Sequence, residues 1–408
     1  MMKLTTLANG LRVASRAMPG IETAAVGLYA EAGSRNEPAE LNGIAHLFEH
    51  MVFKGAGGRS ARELSEAIED VGGELNASTD RDGTSFTASV LAENVPLGVE
   101  LIADMILRPH FTAEELQREK DVVLQELGEA RDTPNDIIFD ELWAAAFDDQ
   151  PIGRSILGEE ASIARIAVDD LHGWRIERYR AGSLCLIGAG KVDHDALVTL
   201  AECHLGALPE GMIASPEPAV YTGGARVARG SGEQAHLALG FPAPAQLAPD
   251  FYPARFFSDI VGGGASSRLF QQVREDRGLA YSVYSVLHPF ADAGLFYIYA
   301  ATARRESAAA AQLIAEVVTE AAETATPREV ERVRTQARAS LLMAMESPWG
   351  QANYVARQLA VHGRLVEPAE VLAELAAVTL DEVRAAGAKM IAAPRARATI
   401  GFPAIRAA

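Results

Sequence analysis

The segment His46-Leu-Phe-Glu49-His50 constrains this chain more than any other stretch of its sequence. On an α-helix each residue turns ~100°, so His46 and His50 lie ~40° apart with their β-carbons about 5–6 Å apart. Both imidazoles can then reach one metal ion, at a Zn–N distance of about 2.0–2.1 Å. Glu49 falls ~60° to the side of His46, where its carboxylate can act on a water molecule. The segment therefore predicts a helix with a metal-binding face.

The alternative interpretation is an ordinary surface helix with three polar side chains. The chain has 9 His in 408 residues. With ordinary Glu usage, this pattern of two His and one Glu arises by chance with a probability on the order of 0.01. The rarity of the pattern favours the metal-binding interpretation.

Two His leave a catalytic zinc ion one protein ligand short of the usual three. Residues 112–130 predict a long helix with a capping box at its start. Glu119 and Glu126 are seven residues apart, ~20° from the same line after two turns, so they share a face of that helix. Glu115 and Glu129 are further candidates, and spacing alone does not choose among the four. Most of these acids can equally belong to a solvated helix face.

The order of predicted elements divides the chain into two halves. Each half has a run of strands followed by a run of helices, an order typical of α+β domains. Residues 208–224 contain three Pro and three Gly without a clear period, which is typical of a linker. We therefore predict an N-terminal domain over residues 1–207 and a C-terminal domain over residues 225–408.

Composition excludes several classes of protein. Lys and Arg total 37 against 55 Asp and Glu, a formal net charge of −18, so the chain repels nucleic-acid phosphates and anionic membrane surfaces. No window has the ~18 uncharged apolar residues of a membrane helix, and residues 1–10 lack the apolar run of a secretory signal. Two cysteines, Cys185 and Cys203, favour free thiols. We expect a cytoplasmic protein with no nucleic-acid or membrane partner.

Five stretches resemble the pitrilysin (insulinase) family of zinc metallopeptidases, which has an inverted zinc motif. The closer likeness is to the branch with the mitochondrial processing peptidase and its bacterial relatives. The resemblance covers essentially the whole chain. It rests on residues 43–55 (GIAHLFEHMVFKG), 73–84 (GELNASTDRDGT), 118–126 (REKDVVLQE), 151–158 (PIGRSILG) and 262–281 (GGGASSRLFQQVREDRGLAY).

The resemblance implies a role for each residue that matches the family pattern. His46, His50 and Glu126 would bind one Zn²⁺ per chain. Glu49 would be the general base that activates a zinc-bound water. Glu119 would be a supporting carboxylate that orients a ligand. The resemblance also implies two structurally similar domains, each a mainly antiparallel sheet flanked by helices.

The resemblance further implies four residues that bind substrate. Asn76 and Ala77 lie on a strand that resembles the edge strand on which the family lays an extended peptide, although an ordinary strand explains them equally well. Arg274 and Tyr281 match a family Arg that can hold a substrate carbonyl and a family Tyr that can stabilise an oxyanion. Without the resemblance, the sequence indicates only that Arg274 is a charge at a helix end and that Tyr281 is a half-buried strand residue.

We therefore expect a zinc-dependent endopeptidase that hydrolyses peptides or unfolded segments in a chamber enclosed by two chains. The expected assembly is a homodimer. One alternative is the catalytic subunit of a heterodimer, which needs a distinct partner chain. Another is a non-catalytic interaction subunit of the same family. The acidic charge can reflect solubility, or a chamber lining that favours basic peptides.

Overall fold

The computed structural model describes residues 2–228 and 232–402. The strands of these ranges are β1 (Met2–Thr6), β2 (Arg12–Ala17), β3 (Thr23–Ala30), β4 (Gly55–Ala56), β5 (Arg59–Ser60), β6 (Glu74–Thr79), β7 (Thr84–Leu91), β8 (Leu184–Gly190), β9 (Gly224–Ala228), β10 (Gln234–Ala243), β11 (Ser282–Pro289), β12 (Gly294–Ala303) and β13 (Ala396–Ile400).

The α-helices of the same ranges alternate with these strands. They are α1 (Ile44–Met51), α2 (Ala61–Glu69), α3 (Val95–Leu107), α4 (Ala113–Asp132), α5 (Pro134–Ala146), α6 (Glu160–Arg165), α7 (Val168–Arg178), α8 (His194–Leu205), α9 (Phe251–Gly262), α10 (Ser307–Thr324), α11 (Pro327–Ala344), α12 (Pro348–His362), α13 (Pro368–Ala377) and α14 (Leu380–Ile391).

The chain folds into two compact units, and neither is continuous in sequence. The first unit contains Met1–Gly128, Ser155–Glu217 and Leu341–Glu367, and the second contains Glu129–Arg154, Pro218–Ser340 and Pro368–Ala408. The chain passes from one unit to the other between Glu217 and Pro218, inside the segment predicted as a linker. The predicted bounds of 1–207 and 225–408 follow chain order alone. Two segments, which we call the exchanged segments, lie outside that order: Glu129–Arg154 belongs to the second unit and Leu341–Glu367 to the first.

Each unit is built on one mainly antiparallel sheet. The first sheet has six strands in the order β1-β2-β8-β3-β7-β6, and only β2 and β8 run parallel. The second has five strands in the order β11-β12-β10-β13-β9, and only β13 and β9 run parallel. The predicted fold class, two similar α+β domains with mainly antiparallel sheets flanked by helices, is confirmed.

The exchanged segments cover the second face of each sheet. In the first unit, α12 packs on β8, β3 and β2. In the second unit, α5 packs on β13, β10 and β9. A strand that is apolar on both faces must be covered on both sides, because successive side chains point to opposite faces.

Strand β3 illustrates this two-sided burial. Val26 and Leu28 point into the large core of the first unit, which contains α1 and α3. Ala25 on the other face belongs to a smaller apolar cluster with Val355 and Leu359 of α12. Helix α12 therefore completes the hydrophobic core of a unit whose other elements lie far away in sequence.

None of the helices in the two described ranges has the length and apolar character that crossing a membrane requires.

We expect Leu359→Ala to lower the free energy of unfolding of the first unit by about 2–5 kcal/mol, because the buried leucine leaves a cavity between α12 and the sheet. Leu359 is 2% exposed. The measurement is the urea midpoint followed by tryptophan fluorescence. Met343→Ala, at a side chain that is 68% exposed, is the control and should change stability by less than about 0.5 kcal/mol. Equal midpoints for the two variants would contradict the packing role of α12.

Candidate metal centre

Helix α1 has an apolar side and a polar side. The apolar residues, buried in the core of the first unit, are Ile44, Leu47, Phe48 and Met51. His46, Glu49 and His50 are half-buried. At ~100° per residue these three residues lie opposite the apolar side. Burial of the apolar side therefore turns both imidazoles and the carboxylate in the same direction.

The start of α1 is held by a carboxylate from outside the helix. Gly43 has φ 94°, and a β-carbon there would come within 2.8 Å of the Leu157 carbonyl oxygen, so this position requires glycine. Glycine has no side chain to cap the helix. Glu37 acts instead: its Oε2 accepts the N–H of Gly43 at 2.9 Å, and its Oε1 accepts the N–H of Ala45 at 2.8 Å. These bonds satisfy two free amides next to His46.

The loop that includes residues 155–158 supports the same end of α1. The Asn42 side chain donates to Glu37 at 2.8 Å and to the Ser155 carbonyl at 3.0 Å. The Ser162 hydroxyl donates to the Asn42 carbonyl at 2.6 Å. The motif at residues 151–158 therefore contributes, through Ser155, to holding the start of α1 in place.

Helix α4 brings two of its acids to α1. Leu116, Val123 and Leu127 form its buried stripe. Glu119 and Glu126 lie ~60–80° to one side of that stripe, on the shared face that the spacing predicts. Burial of the apolar stripe thus fixes the direction of both carboxylates.

The structure brings His46, His50 and Glu126 together. The distance from Glu126 Oε2 is 3.9 Å to His46 Nε2 and 3.7 Å to His50 Nε2. One donor atom from each side chain lies within 4.8 Å of the other two. In tetrahedral zinc sites the donor atoms are about 3.3 Å apart, given Zn–N and Zn–O bonds of ~2.0–2.1 Å. Small side-chain rotations therefore suffice for these three donors to hold a zinc ion.

The protonation state of His46 suits a metal ligand. Burial and, to a smaller extent, the neighbouring His50 together lower the pKa of His46 to about 4. The imidazole is therefore neutral at pH 7, as a metal ligand must be. This chemistry and the two-imidazole, one-carboxylate donor set both fit zinc.

Glu119 orients His50 from the side away from Glu126. Its Oε2 lies 3.2 Å from His50 Nδ1, which leaves Nε2 to face Glu126. Its Oε1 lies 2.7 Å from Lys54 Nζ, which compensates a carboxylate that is almost fully buried. Sequence reasoning missed Lys54, although a cation four residues after His50 on the same helical path was a usable signal.

Glu49 lies beside the three donors rather than among them. Burial raises the pKa of its carboxyl group, while the polar groups of Thr79 and the nearby His50 act in the opposite direction. Thr79 is the last residue of β6, so the strand ends next to this carboxylate.

Asn76 and Ala77 lie on β6, an edge strand of the first sheet. The Ala77 N–H donates to the Asn76 side-chain oxygen at 2.8 Å. That N–H is therefore directed to the open edge and not to β7. An extended peptide can pair with such an edge through its own backbone.

Arg274 and Tyr281 belong to the second unit. Arg274 lies in the π-helix Phe270–Glu275, with its guanidinium 4.6 Å from the centre of the Phe270 ring. Tyr281 precedes β11, and its side chain is 64% exposed.

The fold and the site define a two-domain α+β protein in which two imidazoles and one carboxylate converge and could hold a metal ion. The family model described as insulinase (peptidase family M16) matches residues 12–160, and the model for the M16 inactive domain matches residues 165–337. The chain belongs to the insulinase (M16) peptidase family, and the resemblance found in the sequence is confirmed.

Relatives match along nearly the whole chain. An uncharacterized zinc protease of Rickettsia felis is 34% identical over 399 residues, which cover 98% of this chain and 97% of the relative. The mitochondrial-processing peptidase subunit beta of Lentinula edodes is 33% identical over 406 residues, which cover 95% and 87%. This chain is thus similar both to bacterial zinc proteases and to a subunit of a mitochondrial peptidase.

Solved structures share the fold. A Pseudomonas fluorescens structure described as a peptidase M16 inactive domain has a TM-score of 0.92 and 21% identity over 100% of this chain and 99% of that chain. A protease from Helicobacter pylori has a TM-score of 0.91 and 21% identity over 99% of each chain.

We expect Glu119→Gln to weaken zinc binding by about 10–100-fold, because the amide cannot replace the charge that orients His50 and pairs with Lys54. The measurement is the zinc Kd from competition with a chromophoric chelator. The control is Glu115→Gln, which removes another acid from α4. In the described ion pairs, Glu115 contacts only Arg118. Equal zinc affinities for the two variants would rule out the orienting role.

We expect Glu37→Gln to lower the free energy of unfolding by about 1–3 kcal/mol, because one of its two accepting oxygens becomes a donor that faces backbone N–H groups. Zinc affinity should fall with it, since the start of α1 is no longer held. The control is Glu40→Gln at an exposed neighbour. Unchanged urea midpoint and zinc Kd in Glu37→Gln would show that this carboxylate does not hold the helix.

Proposed function

We propose that this chain is a zinc-dependent endopeptidase that cleaves extended peptides. The proposal rests on one observation. One donor atom each of His46, His50 and Glu126 lies within 4.8 Å of the other two, and the Glu49 carboxylate lies beside them. Two imidazoles, one carboxylate and a separate acid are the parts that a zinc peptidase needs. The names of the bacterial relatives support the same activity.

His46, His50 and Glu126 would hold one zinc ion per chain. When bound, the ion supplies a Lewis acid that polarises water and the peptide carbonyl. Glu119 holds the His50 ring through Nδ1 and so fixes which nitrogen faces the site.

Glu49 would be the general base. Its carboxylate accepts a proton from the attacking water and passes that proton to the nitrogen of the departing amine. The raised pKa of this buried group makes it a better base than an exposed glutamate. The groups that hold the metal and the group that moves the proton are therefore separate.

The open edge of β6 would bind the substrate backbone. Asn76 and Ala77 lie on this edge, and Thr79 at its end is next to Glu49. Backbone pairing accepts any sequence in extended form, so peptides and unfolded segments are the expected substrates.

Arg274 and Tyr281 would contribute from the second unit of the same chain or of a partner chain. The guanidinium can donate to a substrate carbonyl, and the exposed Tyr281 hydroxyl can stabilise an oxyanion. We propose a homodimer with an enclosed chamber in the cytoplasm. Because the Lentinula edodes relative is named as a subunit, a heterodimer is the alternative assembly.

A non-catalytic role for this chain is less well supported. The model described as an inactive domain matches residues 165–337, whereas His46, Glu49, His50 and Glu126 all lie in the stretch of 12–160 that the insulinase model matches. Every group that the proposed chemistry needs at the metal is present in that stretch.

We expect Glu49→Gln to retain zinc and to lose peptide cleavage by a factor of at least about 10²–10⁴, since the base is removed and the ligands stay. The measurements are the zinc content and the cleavage of a quenched fluorogenic peptide. Glu69→Gln, at an exposed position on α2, is the matched control.

Full activity of Glu49→Gln would refute the assigned base. The homodimer would be wrong if the purified wild-type chain binds zinc but cleaves peptides only after a second protein is added. That result would support the heterodimer.

A further inference from the structure

A cavity of about 350 Å³ lies on the face of the first sheet that α12 covers. One cross-strand row of residues passes along it from β2 to the edge strand. In the strand registers, Arg12 is opposite Cys185, Cys185 opposite Tyr29, Tyr29 opposite Ser85, and Ser85 opposite Ser78. All five residues line the cavity. Since directly opposed residues point to the same face, the row defines the direction in which the next residue outward would point.

We propose that this cavity is a specificity pocket that receives a large uncharged side chain, aromatic by preference, from the peptide residue opposite Ser78. The proposal rests on the proposed function in one respect, namely that substrate pairs with the open edge of β6. The peptide then becomes the next strand, about 4.8 Å beyond β6, and its residue opposite Ser78 extends the row.

The alternation of β6 separates this pocket from the metal centre. Ala77 packs against the core that contains α1, and Thr79 is next to Glu49. Ser78 lies between them and points to the opposite face, toward α12. Successive side chains of a bound peptide therefore face the metal side and the pocket side in turn. The pocket can select one residue without contributing to the chemistry.

Charge pairing in the lining argues for an uncharged guest. Arg12 lies 2.5 Å from Glu31. Asp82 lies 2.9 Å from the buried Arg35. The two remaining charged residues of the lining, Asp80 and Arg357, have opposite signs. The formal charges of these groups cancel, so a lysine or arginine side chain would lose water without a compensating excess of negative charge.

The rest of the lining is suited to an apolar ring. The Tyr29 hydroxyl donates to the Asn353 side chain at 3.0 Å, which holds the aromatic ring in the wall of the cavity. Ala356, Leu359 and Ala360 of α12 provide the facing apolar surface. A cavity of about 350 Å³ is at the small end of ligand sites, which span ~300–1,000 Å³, and has room for an aromatic side chain but not for a folded element.

The test compares wild-type protein with Ala356→Phe, which fills the cavity from α12. Ala308→Phe, at an exposed position on α10 of the second unit, is the matched control. Each zinc-loaded protein digests a mixed peptide library, and mass spectrometry gives the residue preference at each position around the cut. Wild type and Ala308→Phe should favour aromatic residues about 10–100-fold at one position. Ala356→Phe should lose that preference and keep the preferences at other positions.

Binding separates failure of this proposal from failure of the proposed function. Zinc-loaded Glu49→Gln is titrated with two peptides that differ only by Phe or Ala at the selected position. If wild type cleaves no peptide and no position is selected, peptide pairs that place Phe or Ala at each position in turn are used instead. The Phe peptide should bind Glu49→Gln about 10–100-fold more tightly than the Ala peptide. In the double variant that also carries Ala356→Phe, the two peptides should bind equally. Absence of cleavage with this binding difference intact would overturn the proposed function alone.

Three results would overturn the pocket. The first is that wild type shows no aromatic preference at any position. The second is that the aromatic preference is unchanged in Ala356→Phe. The third is that wild type prefers Lys or Arg at the position whose preference Ala356→Phe alters. Should Ala356→Phe fail to fold by circular dichroism, Ala360→Trp narrows the cavity from its exposed rim, and the same outcomes apply to it.

Discussion

The contact between α1 and α4 is the constraint on which the site depends. Each helix is amphipathic, and burial of its apolar stripe turns its polar side chains toward the other helix. Glu119 then bridges the two helices, with one oxygen at His50 and the other at Lys54. Because the donors come from two helices, neither helix can shift without separating them.

Polar groups near the candidate metal centre are held by partners that are themselves fixed. Glu37 is buried, yet backbone amides at the positive end of α1 and the Asn42 side chain surround its two oxygens. Glu119 is balanced by Lys54. In the part of the chain that the structure describes, no Lys or Arg forms an ion pair with Glu49, and burial raises the pKa of its carboxyl group. The protein thus stabilises the charges that position the site and leaves the proposed base in a less stabilising environment.

The exchange of α5 and α12 between the units has a consequence for the first sheet. Helix α12 packs against one part of the sheet face and forms one wall of the cavity beside Tyr29 and Ser78. The same sheet therefore carries the metal-site helix on one face and the proposed side-chain pocket on the other. An edge strand between them gives a bound peptide access to both faces through the alternation of its side chains.

The sequence by itself determined the helix with His46, Glu49 and His50, the shared face of Glu119 and Glu126, and the α+β order of elements, because these follow from local periodicity. The convergence of Glu126 with the two imidazoles, the capping by Glu37 and the exchange of α12 were decided only by the tertiary structure. These contacts join residues that are distant along the chain or lie in irregular loops. Their geometry depends on how the buried faces pack, which no local pattern encodes.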